Sequence, residues 1–266
     1  MNPFSRIQIE TGDITQSDCD AIVNAANTSL LGGGGVDGAI HKAAGPELLA
    51  YCKTLGGCKT GEAKSSPGYN LKARHVIHTV GPVWKGGGSN ENFLLESCYR
   101  NSLLAAKELS VKSIAFPGIS TGAYGFPMEA AASIALKSTL RTLFFNEIPQ
   151  KVVFFCFDDK AREIYDITLD KLKAIQRSVF SIHGKVQGVF FRKFTQEKAH
   201  QLNLSGYVMN QKDGSVFCEA EGAEPDLEKF YEWLHTGSPG SNVDHVTIDR
   251  EDPVFYNGFE IRFLSR

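Results

Sequence analysis

The sequence predicts an α/β chain in two units. The first is a layered α/β domain on a mainly parallel or mixed sheet, and the second is a smaller α+β unit of order β-α-β-β-α-β. Three observations predict this. Short β-branched or aromatic runs alternate with amphipathic stretches through the first two thirds of the chain. That rhythm changes near residues 174–178. The 266 residues also exceed one ordinary domain of roughly 100–200 residues.

The elements follow in order. Ile7 and Ile9, with Gln8 and Glu10 between them, alternate like a strand. Ala21-Ile22-Val23, residues 76–80, Ile114-Ala115-Phe116 and residues 152–157 are runs suited to buried strands. A helix is expected from near Val36. Leu95, Cys98, Tyr99 and Ala106 share one helical face, as do Leu136, Leu140, Leu143 and Phe144. A charged helical stretch after Ile164 runs through Leu172 to about Arg177. Val179-Phe180-Ser181-Ile182 then reads as a strand and residues 194–204 as a helix. Residues 206–210 and 216–220 are strands around the turn Lys212-Asp213-Gly214-Ser215. Leu227, Phe230, Tyr231 and Leu234 fit a second helix, and residues 246–248 and 259–263 close with strands. The expected units are 1–173 and 179–266, joined by 174–178.

Composition excludes several classes. Hydrophobic residues are 42% and charged residues 22%, close to a globular average. Lys and Arg total 28 against 30 Asp and Glu, so there is no basic surface for bulk nucleic acid or an anionic membrane. No run of about 18 apolar residues is present to span a membrane. The N-terminal residues lack a charged-then-apolar leader. None of the six cysteines forms a C-x-x-C pair, so reduced, buried thiols and a cytoplasmic location are expected. His75 and His78 have metal-like spacing, but on a strand residues three apart face opposite sides, so they are expected to be sheet residues.

The most informative segment is Asn24-Ala25-Ala26-Asn27 followed by Gly32-Gly33-Gly34-Gly35-Val36-Asp37-Gly38. Four consecutive glycines weaken any regular element but allow close backbone approach to a ligand. They lead into a helix, whose first amides and positive end suit phosphate. The spacing fits neither the dinucleotide nor the P-loop fingerprint. A second loop, from Phe116 through Gly118, Ser120, Thr121, Gly122, Ala123 and Tyr124 to Pro127, again lies between a strand and a helix. Ligands bind at such strand ends in α/β folds, and two such loops could embrace a diphosphate. Either one alone would read as a tight connection.

These motifs, with Gly12-Asp13-Ile14, resemble a MacroD-type macrodomain over about the first 173 residues. The resemblance implies a three-layer α/β/α sandwich with a mixed sheet that binds ADP-ribose or its esters. It also implies removal of mono-ADP-ribose from acidic side chains of proteins and deacetylation of O-acetyl-ADP-ribose. By the same resemblance, Asp13 would accept from the adenine amino group beside the Ile14 backbone, and Phe157 would stack on adenine. Asn24 and Asn27 would hold the distal ribose region. Gly33, Gly34, Gly35 and Val36, with Ser120, Thr121, Gly122, Ala123 and Tyr124, would bind the diphosphate and terminal ribose. Asp37, which could be no more than a first-turn carboxylate favoured by the helix dipole, would orient or deprotonate the attacking water. Whether Asp37 or a substrate phosphate takes the proton is not legible in the sequence. A zinc-bearing subgroup places ligands in the first loop, where Val36-Asp37-Gly38 has none, so no metal and no cofactor are expected.

A second constellation runs through Gly184-Lys185-Val186-Gln187-Gly188-Val189-Phe190-Phe191-Arg192. Such a strand-loop-helix junction can aim several amides at one anion. Arg192 adds a planar charged fork at a helix start, an unfavourable place for a cation without an anion to meet. With Gly206 to Asn210 and Phe259-Glu260-Ile261-Arg262-Phe263, residues 177–266 resemble acylphosphatase and its ferredoxin-like fold. Tyr207 stands where that family commonly has Trp. The resemblance implies hydrolysis of acyl phosphates, with the phosphate held by Gln187, Gly188, Val189, Phe190 and Arg192 and the water positioned by Asn210. The expectation is therefore a bifunctional hydrolase. Its alternative is a non-catalytic ADP-ribose reader with a phosphate-binding module, which would need fewer of Asn27, Asp37, Arg192 and Asn210.

Overall fold

The computed structural model describes residues 2–263, so Met1 and residues 264–266 of the two expected units lie outside it. The chain divides into two compact units, Met1–Asp170 and Lys171–Arg266.

The first unit is built on six strands: β1 (Ile7–Thr11), β2 (Ala21–Ala25), β3 (Ala63–Pro67), β4 (His75–Thr79), β5 (Ser113–Pro117) and β6 (Lys151–Cys156). Their order in the sheet is β1-β6-β5-β2-β4-β3. All neighbours are parallel except β3 and β4, so the sheet is mixed. The central strands are apolar on both faces because helices cover both. On one face α1 (Gly35–Ala44) and α2 (Pro46–Thr54) bury Ile40, Ala44, Leu48 and Cys52 with Ile22, Val76, Ala115 and Val153. On the other, Tyr99 of α3 (Glu91–Glu108) lies 5.2 Å from Phe116, and Tyr165 of α5 (Asp159–Lys173) lies 5.3 Å from Phe154. With α4 (Met128–Phe144) the result is a three-layer α/β/α sandwich. All six cysteines are free and buried. Among the described residues no helix is long and apolar enough to cross a membrane.

The second unit has β7 (Gln176–Lys185), α6 (Phe191–Gln201), β8 (Ser205–Asn210), β9 (Val216–Gly222), α7 (Glu224–Thr236), β10 (Asn242–Glu251) and β11 (Phe259–Arg262). The sheet order is β10-β7-β9-β8-β11, antiparallel except for β11 against β8. Alternate strand residues Phe180, Ile182, Val208, Cys218 and Ala220 meet Phe191, Ala199, Leu227, Phe230 and Leu234 in one core. This is an α+β ferredoxin-like arrangement with β11 as a fifth strand.

Several boundaries differ from the sequence reading. β3, Ala-Lys-Ser-Ser-Pro, carries no β-branched or aromatic signal and exists because it pairs with β4. Helix α6 begins at Phe191 rather than near residue 194, since Phe191 is itself a core residue. Helix α5 ends at Lys173 and β7 starts at Gln176, so Arg177 is on a strand, opposite Glu221. Phe144 is 38% exposed at the end of α4, edge-on to Phe145, and does not join Leu136, Leu140 and Leu143 in the core.

Candidate functional sites in the two units

The order of the parallel strands positions the first site. β1, β6, β5 and β2 are adjacent and parallel, so their C-terminal ends share one edge of the sheet. Along that edge lie Asp13 and Ile14 after β1, Phe157 after β6, the loop of Ser120 to Tyr124 after β5, and the loop from Asn27 to Val36 after β2. Three strand spacings cover about 14 Å. At one end, Asp13 is exposed and caps a short 3-10 turn, its Oδ1 accepting from Thr15 N (2.9 Å) and Oγ1 (2.8 Å). Phe157 is 95% exposed, so its large apolar ring gains almost nothing from burial in the core.

At the other end the glycines feed α1 without a side-chain cap at Gly34, so the first-turn amides stay open. Gly35 has φ +59, a conformation glycine adopts freely. Asp37, in that first turn, is 3% exposed. Its Oδ1 accepts from Asn24 Nδ2 at 2.7 Å and lies 3.5 Å from His41 Nε2. Its Oδ2 is buried without a partner among the described residues and faces Gly33, where a Cβ would stand 3.0 Å away. Asn27, half-buried, donates from Nδ2 to Gly32 O at 2.8 Å, and its Oδ1 accepts from Ser29. The carboxylate thus has one anchored oxygen and one free oxygen in a site of low exposure.

The second loop turns sharply. Ser120 is 6% exposed with φ +65, and its Oγ has no partner among the described residues. Phe126 N and Gly125 N close the loop onto Ser120 O and Gly122 O, and Trp84 N donates to Tyr124 O. No acceptor among the described residues takes the amides of Thr121, Gly122, Ala123 and Tyr124. A Cβ at Gly81 would sit 2.1 Å from Ser120 Oγ, so glycine there lets the loop close against the end of β4.

The second unit carries its own site. Its cavity of about 320 Å³ is lined by Val186, Gln187, Gly188, Phe190, Phe191, Arg192, Lys193, Asn210, Ile261 and Phe263. Gly188 (φ +76) and Phe190 (φ +56) turn the loop into α6, which again lacks a side-chain cap. The Gln187 amide group donates to Gln211 O (2.9 Å) and Ser215 O (2.8 Å), which leaves its backbone N–H for a ligand. Ser238 Oγ holds Val189 O. Arg192 has no carboxylate partner among the described residues, and its guanidinium lies 5.1 Å from the Phe263 ring centre. Asn210 ends β8 inside the same cavity. Tyr207 lies away from this lining and donates to Glu219 Oε1 at 2.8 Å.

The residues singled out from the sequence thus fall into two groups, one on the sheet edge of each unit. Sequence reasoning did not connect His41, His78 or Lys193 to these sites. The His41 signal was present, four residues after Asp37 and so on the same helix face. His78 is linked only through strand register, which no local pattern reveals.

Comparison with known proteins places both units. The Macro domain family model matches residues 23–135 and the Acylphosphatase model matches residues 178–261. A macro domain-containing protein of Methanosarcina mazei is 57% identical over 169 residues, 64% of this chain and 90% of its own. The O-acetyl-ADP-ribose deacetylase of Salmonella typhimurium is 52% identical over 165 residues, 60% of this chain and 92% of its own. The crystal structure of the Trypanosoma brucei macrodomain in complex with ADP-ribose is 44% identical with a TM-score of 0.58, covering 61% of this chain and 68% of that one.

Proposed function

The chain belongs to the macrodomain family and carries an acylphosphatase domain behind its macrodomain, and on that premise we propose that it is a hydrolase with two sites, one for ester-linked ADP-ribose and one for acyl phosphates. The carrying observation is the order of the strand ends: an exposed aromatic ring, two loops of open amides, then a buried carboxylate with one free oxygen. That order matches the parts of a nucleoside diphosphate sugar.

In this reading adenine stacks on Phe157 and its amino group donates to Asp13, beside the Ile14 backbone. The diphosphate takes the amides of Gly33 to Val36 and of Ser120 to Tyr124, where backbone dipoles hold negative charge without a basic surface. The far ribose lies against Asn27, above Asn24 and Asp37. With an O-acetyl ester, Asp37 Oδ2 accepts a proton from water as the water oxygen adds to the acetyl carbonyl. The ester C–O bond then breaks, the ribose oxygen leaves with a proton, and acetate and ADP-ribose are released. With a mono-ADP-ribosylated Asp or Glu side chain, the water oxygen bonds to the sugar's anomeric carbon as that carbon's bond to the side-chain oxygen breaks, the carboxylate departs, and the water's proton passes to Asp37 Oδ2. General-base help of this kind supplies typically about 10²–10⁴-fold.

In the second site the phosphate takes the amides of Gln187 to Phe190 and the Arg192 fork, and Asn210 orients the water. The water oxygen bonds to phosphorus as the bond to the acyl oxygen breaks, a carboxylate leaves, and the proton passes to the phosphate product. No strong base is needed, because the leaving carboxylate is stable and positioning with electrostatics carries phosphoryl transfer.

One preparation tests both halves. Wild type, Asp37→Ala and Arg192→Ala are assayed on O-acetyl-ADP-ribose, on a mono-ADP-ribosylated protein and on acetyl phosphate. Each substitution is expected to silence its own reaction alone. Wild type that binds ADP-ribose and turns over neither ester would replace the hydrolase with a reader.

A further inference from the structure

Behind Asp37 lies a chain of buried polar side chains. Asn24 on β2 and His78 on β4 are parallel partners in register, and both are fully buried. Ser66, on β3, opposes Val76 and so shares the sheet face of His78. The distances link them: Asn24 Nδ2 is 2.7 Å from Asp37 Oδ1 and 3.2 Å from His78 Nδ1, and His78 Nε2 is 2.9 Å from Ser66 Oγ. Ser66 Oγ in turn donates to Pro67 O at 3.2 Å. Hydrogen-bond direction makes the chain self-consistent only one way. At one end the Asp37 carboxylate can only accept, so Asn24 turns its NH₂ toward it and toward His78 Nδ1; at the other, Ser66 Oγ donates to Pro67 O and accepts from His78 Nε2–H. His78 Nδ1 is then a bare acceptor, and only the NH₂ end of Asn24 can face it. The second hydrogen of that same NH₂ is left for Asp37.

We propose that His78 is a positioning residue for the reaction at Asp37: its Nδ1 lone pair selects the amide orientation of Asn24, which clamps Asp37 Oδ1 and leaves Oδ2 as the single oxygen turned to the ligand. The inference rests on the reading of Asp37 given above. The environment keeps His78 in the form the relay requires, since burial, and then the nearby His41, hold its pKa down to about 4. Cys52 Sγ, 3.7 Å from Nε2, stays a thiol because burial and then Asp37 push it up to about 11. If the imidazole carried its proton on Nδ1, as the other tautomer or as the cation, that N–H would oppose the Asn24 NH₂, the amide would turn, and its carbonyl would face a carboxylate.

The test uses the full chain with ¹⁵N-labelled histidine, beside the variants His78→Leu and His78→Asn. Asn offers an acceptor oxygen close to where Nδ1 stands; Leu offers none. At pH 7 the His78 ring is expected as the Nε2–H tautomer. His78→Leu is expected to lower kcat on O-acetyl-ADP-ribose roughly 10- to 100-fold while ADP-ribose affinity stays within about threefold. His78→Asn is expected to recover most of that rate at the same far-UV circular dichroism. An Nδ1–H tautomer, an unchanged kcat in His78→Leu, or equal losses in the two variants would overturn the proposal. Wild type without turnover would remove the proposed function, and the tautomer would still decide the relay.

Discussion

Asn24 and Asp37 are joined by a 2.7 Å hydrogen bond from the end of a central strand to the first turn of the helix that follows it. The bond fixes one carboxylate oxygen and leaves the other, beside Gly33, without a partner among the described residues. In the proposed reaction that asymmetry leaves Oδ2 with its lone pairs open to the hydrogen of a water. Asp37→Ala should therefore cost roughly 10²–10⁴-fold in kcat on O-acetyl-ADP-ribose. Titration calorimetry should find ADP-ribose affinity largely retained, and acetyl phosphate turnover should not change.

Gly33 is held to glycine by that same oxygen. A Cβ there would lie 3.0 Å from Asp37 Oδ2 and 3.3 Å from Asn27 Nδ2, so Gly33→Ala must displace both side chains. The variant should lose roughly tenfold or more in kcat, while its thermal midpoint shows a stability change under about 1 kcal/mol.

Phe157 separates binding from folding. At 95% exposure its ring contributes little to the core, so Phe157→Ala should unfold at the wild-type urea concentration. Loss of a stacking platform worth about 1–3 kcal/mol should weaken ADP-ribose binding roughly 5- to 150-fold, as measured by calorimetry.

His78 gives the first unit a pH signature. Its imidazole is held neutral down to about 4, against 6.5 for an unperturbed ring. Between those values the unfolded chain binds a proton that the folded chain does not, so stability is full above about 6.5 and is lost as pH falls toward 4. The loss is on the order of 3 kcal/mol at most. The groups facing the ring are Asn24, Ser66, Cys52, Asp37 through Asn24, and His41 at 6.4 Å between ring centres. Hydrogen exchange at β4 amides should reveal the decline in wild type and a shallower one in His78→Asn.

Arg192 and Asn210 should divide their labour in the smaller unit. Arg192→Lys keeps the charge but loses the planar fork, so it should raise KM for acetyl phosphate as well as lowering kcat. Asn210→Ala should lower kcat with a smaller effect on KM if Asn210, as proposed, meets the water and not the phosphate.

These sites were unequally legible in the sequence. The glycine loop after β2 announced itself because four consecutive glycines serve no helix or strand, whereas Asp37 stood out only through the macrodomain resemblance, its first-turn place alone reading as a carboxylate favoured by the helix dipole. The framework strands β2, β4, β5 and β6 were readable from apolar runs that burial on both faces demands. β3 was not, because its Ala-Lys-Ser-Ser-Pro segment is a strand only by pairing with β4. The role drawn for His78 was hidden for the same reason. His75 and His78 do share a strand, as their pattern suggested, but the partner of His78 lies 54 residues away on β2, and only the sheet order brings the two together.

The most direct measurement is a crystal structure of the wild-type chain with ADP-ribose bound. The account predicts adenine on Phe157, the diphosphate between the two loops, and the anomeric carbon of the far ribose within reach of Asp37 Oδ2 through one water, about 5–6 Å. A ligand running the opposite way along the sheet edge, or a far ribose out of reach of that carboxylate, would contradict it.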